Sequence, residues 1–177
     1  ISAMTRKIGY PDTWEPYEGL ELGDDALANG LAINMFKHAQ DLGKVNGPVD
    51  KAEWHMPAPL VNAYYNPTSN EIAFPAGIMQ PPFFGAGLPQ AMNYGGIGAV
   101  IGHELTHGFD DQGAKYDAKG MLREWWTPQV RERFDERVAC VVDQYNAYEP
   151  LPGVNVNGKL TAGENIADIG GVKEAYV

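Results

Sequence analysis

An α+β fold is what this 177-residue sequence predicts, and three observations predict it. Two strand-like runs, Leu60 to Tyr65 and Glu71 to Phe74, flank the turn-forming segment Asn66-Pro67-Thr68-Ser69-Asn70, so a hairpin is expected there. Helical periodicities dominate from Asn93 onward. Strand patterns first and helical patterns afterwards are the order of an α+β domain with a small sheet packed on helices. The length suits one domain with a real core.

Taken in order, Lys7 to Tyr10 reads as a short strand in an otherwise irregular start that contains Pro11 and Pro16. Asp24 is placed to cap a helix running to about Leu42, because Leu27, Leu31, Met35, Ala39 and Leu42 fall on one face. Residues 43–59 read as a loop broken by Gly47-Pro48, and residues 77–89, rich in Pro, Gly and Phe, as an ordered loop. A helix from Asn93 to about Asp111, closed by Gly113, contains Gly95, Gly96 and Gly98. Each glycine costs about 1 kcal/mol relative to Ala, a cost that suggests close packing against another element. Thr127-Pro128 forms an N-cap and N1 pair. The helix that follows carries Val130, Phe134, Val138, Val141, Val142 and Tyr145 on one stripe and stops before Pro150-Leu151-Pro152-Gly153. A last helix begins near Thr161.

Composition excludes some functions. The net charge of −10 and pI near 4.7 argue against a nucleic-acid groove, which needs clustered Lys and Arg. No run of about 18 apolar residues exists to span a membrane. Cys140 stands alone and lies in an apolar helical pattern, so a buried structural thiol is expected.

The chemistry concentrates at His103-Glu104-Leu105-Thr106-His107. Histidines four apart on a helix share a face about one turn apart, and two such imidazoles can meet one tetrahedral Zn²⁺. Glu104 sits beside the metal rather than facing it, where it can take a proton from an activated water. A third protein ligand is needed. His38, in an amphipathic helix, and His55, in a loop, read as structural or solvated. Glu164, in Gly163-Glu164-Asn165-Ile166-Ala167-Asp168, lies 57 residues after His107. Asp168 is four residues further on the same helix face, so one carboxylate could bind zinc while the other accepts the free ring N–H of a ligating histidine. Thr161-Ala162-Gly163-Glu164 equally fits a capping box, with Glu164 bonding back to the N-cap amide. From the residues alone both readings of Glu164 stay open.

Together these segments resemble the neprilysin-type (M13) family of zinc metallopeptidases, over most of the chain and most densely from Leu60 onward. Val61-Asn62-Ala63-Tyr64-Tyr65 resembles the family's substrate-binding strand. Ile72-Ala73-Phe74-Pro75-Ala76-Gly77-Ile78 and Gln80-Pro81-Pro82-Phe83-Phe84 follow in the family's order. Gly102 to Asp111 matches the zinc helix and Gly163 to Asp168 the third-ligand helix. The resemblance implies a thermolysin-like zincin core and one Zn²⁺ held by His103, His107 and Glu164. It implies Glu104 as general base and Asp168 as the carboxylate behind a ligand, with an active-site role. Asn62 and Ala63 would hold the peptide substrate through main-chain and amide hydrogen bonds, and short peptides are the implied substrate class.

The chain is expected to be a partial catalytic domain over 1–177, truncated at both ends. It lacks the family's His and Arg beyond the third-ligand helix that stabilise the oxyanion, and the helical region that roofs the cavity. The missing N- and C-terminal parts of the parent are therefore expected partners, together with the peptide. Neither nucleic acid nor membrane is an expected partner of this segment. Cys140 resembles a family position that pairs with a cysteine near the C-terminus in secreted animal members, and the resemblance leans toward a parent outside the cytoplasm. A zinc-stabilised binding or scaffold fragment without catalysis is the alternative function.

Overall fold

The computed structural model describes residues 1–176. The chain divides into two compact units. One comprises Ile1–Tyr10 and the chain from Trp54 onward; the other is Pro11–Glu53.

The second unit is built on helix α1, Ala26–Lys44. Its N-cap is Asp25, one residue later than expected, whose carboxylate accepts the Ala28 N–H at 2.9 Å. The predicted apolar stripe is present, but Leu27, Leu31, Met35 and Leu42 are all exposed. His38 is also exposed.

The first unit contains a three-stranded sheet in the order β1-β3-β2. Strand β1 spans Thr5–Gly9, β2 Tyr64–Asn66 and β3 Glu71–Pro75. The expected hairpin forms: β2 and β3 pair antiparallel, while β1 lies parallel on the other edge of β3. All five residues of β3 are buried, which accounts for its lack of polar–apolar alternation. Glu71 is tolerated there because the Lys7 ammonium straddles its carboxylate at 2.9 and 2.8 Å. Ile72 and Phe74 join Met4, Ile78 and Ile97 in the core, against which Tyr65, Phe83 and Leu105 pack.

The strand predicted over Leu60 to Tyr65 is half as long as expected. Residues 60–63 are irregular because their backbone is committed elsewhere. The Ala63 N–H goes to its neighbour's Asn62 Oδ1 at 2.9 Å. Gly77 presses onto the segment so closely that a Cβ there would lie 2.4 Å from both the Pro59 and Leu60 carbonyl oxygens.

The long helix predicted from Asn93 to Asp111 is three pieces. Helix α2 covers Gln90–Asn93, a π-helical turn covers Tyr94–Gly98, and α3 covers Ala99–His107. Asn93 is not the cap; it lies inside the helical path, and its amide bonds both the N–H and the C=O of Gly85, at 3.0 and 2.9 Å. Close packing explains one of the three glycines. A Cβ on Gly96 would meet the Phe83 carbonyl oxygen at 2.3 Å, and the same oxygen accepts the Ile97 N–H at 2.8 Å. The wide turn thus spends a carbonyl of the preceding loop on the helix.

Helix α4, Pro128–Asn146, begins as predicted, with Thr127 Oγ1 accepting the Val130 N–H at 3.4 Å. Cys140 is exposed, not buried. At about 100° per residue it lies roughly 130° around the helix from the centre of the apolar stripe. Helix α5, Ala162–Tyr176, lies against α3. No described helix is long and apolar enough to cross a membrane.

Candidate metal centre

Helix α3 presents His103 and His107 on one face, with ring centroids 4.6 Å apart and Nε2 atoms 3.0 Å apart. Helix α5 brings Glu164 to them, its Oε2 lying 3.4 Å from His103 Nε2 and 3.5 Å from His107 Nε2. Three donor atoms from two helices therefore converge.

Glycines make this convergence possible. A Cβ on Gly171 would sit 2.4 Å from the Ala99 carbonyl oxygen and 2.7 Å from the His103 nitrogen; one on Gly170 would strike the Thr106 hydroxyl at 2.2 Å. Only bare backbone lets α5 approach α3 so closely.

The other nitrogen of each ring has its own carboxylate. His103 Nδ1 lies 2.8 Å from Asp168 Oδ1, and His107 Nδ1 lies 2.6 Å from Asp110 Oδ2. An ionised carboxylate only accepts, so each Nδ1 carries a proton, and each Nε2 presents a lone pair when its ring is neutral. Two lone pairs 3.0 Å apart, facing a carboxylate oxygen, repel one another unless a cation lies among them. Two neutral imidazoles and one carboxylate are also the donor set of a catalytic zinc site. The residues fit the ion.

Asp168 was anticipated in this position. Asp110 was not, although its place three residues after His107 was a usable signal. Its other oxygen accepts the N–H groups of Gln112 at 2.8 Å and Gly113 at 2.6 Å. These bonds turn the chain sharply and end α3 at His107, short of the predicted Asp111. A Cβ on Gly113 would lie only 1.8 Å from the His107 carbonyl oxygen.

Glu104 is 6% exposed and also offers an oxygen within 4.8 Å of the imidazole donors. The two glutamates differ in setting. The Glu164 oxygen faces both Nε2 atoms on a side chain 71% exposed, whereas Glu104 is buried and takes a hydrogen bond from the Tyr65 main chain. Burial raises the pKa of Glu104; His103, His107 and the Tyr65 bond oppose the rise, and Glu164 adds to it. For His107, burial acts to lower the pKa, but the hydrogen bond and charge of Asp110, with Glu164 and Glu104, leave it raised. Tyr65, also beside Asp110, is pushed up to about 12 by burial and then by that charge.

The capping-box geometry does not form at Thr161. Its N–H already goes to the Asn157 carbonyl at 3.1 Å, and its hydroxyl is engaged by Asn157 and Asn165. His55 packs edge-on against Tyr64 and is exposed. Asn62 and Ala63 line the same cleft, of about 680 Å³, as His103, His107 and Glu164. Strand β2, at the open edge of the sheet, forms one of its walls.

The profile of peptidase family M13 matches residues 62–177. An endothelin-converting enzyme homolog of Locusta migratoria is 49% identical over 98% of this chain and 25% of its own length. Neprilysin-11 of Caenorhabditis elegans is 46% identical over 99% of this chain and 22% of its own. Among solved structures, the inhibitor complex of the zinc metalloprotease Zmp1 of Mycobacterium tuberculosis superposes with a TM-score of 0.94 at 50% identity, covering 98% of this chain and 28% of that one. The chain thus spans about a quarter of the length of the relatives it matches.

Proposed function

The chain belongs to peptidase family M13, and from that premise we propose that it is the catalytic core of a zinc endopeptidase acting on short peptides. The observation that carries the proposal is the approach of the Glu164 carboxylate to both histidine Nε2 atoms, at 3.4 and 3.5 Å, with a buried Glu104 beside them. His103, His107 and Glu164 would hold one Zn²⁺. When bound, the ion supplies Lewis acidity toward a peptide carbonyl and an acidic water near neutral pH.

The rest is the work of this chain's residues. Glu104 accepts a proton at its carboxylate as water oxygen bonds to the carbonyl carbon, and returns it to the amine nitrogen as the C–N bond breaks. Its burial makes it a stronger base than a solvated glutamate. Asp168 and Asp110 keep the Nδ1 protons in place, so that both Nε2 lone pairs stay turned inward. Asn62, Ala63 and the open edge of β2 align an extended peptide along the cleft.

The test is Glu104→Gln in the full-length protein. Zinc content stays near one per chain and chelator-sensitive peptide hydrolysis is lost; retained turnover overturns the role of Glu104. Stoichiometric zinc in a wild-type protein that cleaves no peptide favours a binding or scaffold role instead.

A further inference from the structure

We propose that Lys159 is a specificity residue that selects peptides carrying a carboxylate near the scissile bond. The proposal rests on the peptidase reading and goes beyond it, to the substrate class.

The cleft has a marked imbalance of charge. Glu104, Asp110, Asp111 and Glu164 line it, and Lys159 is the only lysine or arginine among its described lining residues. Asp110 is bonded to His107 and its own loop, Asp111 Oδ2 accepts from the Gln112 amide at 2.7 Å while its Oδ1 is buried without a hydrogen-bond partner among the described residues, and Glu164 and Glu104 face the histidine cluster. Lys159 makes no ion pair within 4.0 Å among the described residues. Its charge therefore remains available to a ligand, in a chain whose net charge of −10 otherwise repels anions.

The backbone that carries Lys159 is fixed. The Gly158 N–H donates to Asn146 Oδ1 at 2.8 Å, and a Cβ on Gly158 would strike the Val142 carbonyl oxygen at 2.3 Å. The Leu160 N–H bonds both the carbonyl and the side chain of Asn157 at 3.0 Å. Leu160, 82% exposed, lines the cleft beside the lysine and offers apolar contact next to the charge. The same cleft is lined by Asn62, Ala63, Tyr64 and Tyr65, of which Tyr64 and Tyr65 belong to the three-residue strand β2, about 7 Å long at about 3.4 Å per residue. That edge can pair with about three substrate residues, and Lys159 lines the same cleft as His103, His107 and Glu164, so a carboxylate that meets Lys159 lies within a few residues of the bond being cut. Either an acidic side chain or the peptide's own C-terminus supplies that group.

The test uses the full-length zinc-loaded protein and amidated peptides of equal length, with Glu or Gln at each successive position, plus the all-Gln peptide as a free acid. We expect Glu over Gln at one position by about 2- to 5-fold in kcat/KM, the size of a partly exposed ion pair, weakened by salt. A preference confined to the free acid assigns the carboxylate to the C-terminus. Lys159→Arg retains the preference and Lys159→Glu reverses it. Dissociation constants of the same peptides, measured on Glu104→Gln, follow the same order. An unchanged Glu-to-Gln ratio in Lys159→Glu, with cleavage continuing, overturns the proposal. No cleavage of any peptide by the wild type overturns the peptidase reading, and this one with it.

Discussion

Gly102 on α3 and Gly171 on α5 face each other so closely that a methyl group on the first would lie 2.8 Å from the α-carbon of the second. Gly171 also abuts the backbone of Ala99 and His103, and backbone cannot swing aside as a long side chain can. Gly171→Ala therefore forces the helices apart. We expect a loss of about 1–3 kcal/mol of stability and weaker zinc binding, since the crossing sets the distance from Glu164 to the histidines. Thermal unfolding and a zinc titration of the variant check both.

Glu164→Ala removes the only carboxylate within 4.0 Å of both Nε2 atoms among the described residues. Its side chain is mostly exposed, so the fold should survive while the zinc is lost on dialysis. Elemental analysis beside circular dichroism measures this; full metal content in the variant would leave Glu164 a surface residue and overturn its role as a ligand.

Asp110→Asn and Asp168→Asn both weaken the hold on an Nδ1 proton, and each should lower zinc affinity by about 10- to 100-fold. Their effects on stability should differ. Asp168 is 72% exposed and its described bond is to His103, whereas Asp110 is buried and also accepts two main-chain N–H groups at the end of α3. Chemical denaturation of the metal-free variants should show a larger loss for Asp110→Asn.

Asp117 gives a pH dependence away from the metal. Hydrogen bonds from the Met121 and Lys119 main chain, aided by Arg123 and opposed by burial, hold its pKa below the ordinary value. A group depressed in the folded state stabilises above its unfolded pKa of about 3.9 and loses that contribution as pH falls through the lower folded value. The stability difference between wild type and Asp117→Asn should therefore be constant above about pH 5 and shrink toward pH 2. Urea unfolding across that range reads it.

Legibility in the sequence followed distance along the chain. His103, Glu104 and His107 were readable because one helical turn relates them, and the Asn66–Asn70 turn because its residue types are local. Thr127-Pro128 was readable for the same reason. The parallel partner of β3 was not, because β1 lies more than 60 residues earlier. Leu60 to Ala63 looked like strand by composition, yet the Asn62 side chain takes a donor the ladder would need. The break between α2 and α3 was hidden too, since it depends on the Phe83 carbonyl of another segment. From the residues alone Glu164 was equally a cap and a ligand, and family resemblance favoured the ligand; its Oε2 lies 3.4 and 3.5 Å from the two Nε2 atoms. Asp110 was in plain view as a sequence neighbour, but its turn around Gly113 was not.

The split of the three donors between α3 and α5 also sets a schedule. Glu164 leaves the ribosome 57 residues after His107, a delay of about 3–11 s at about 5–20 residues per second. Through that interval the nascent chain holds a pair of histidines without their carboxylate, a weak and open site for any divalent ion. On the proposed ligand set, tight capture would await the docking of α5 and so depend on the Gly102–Gly171 crossing.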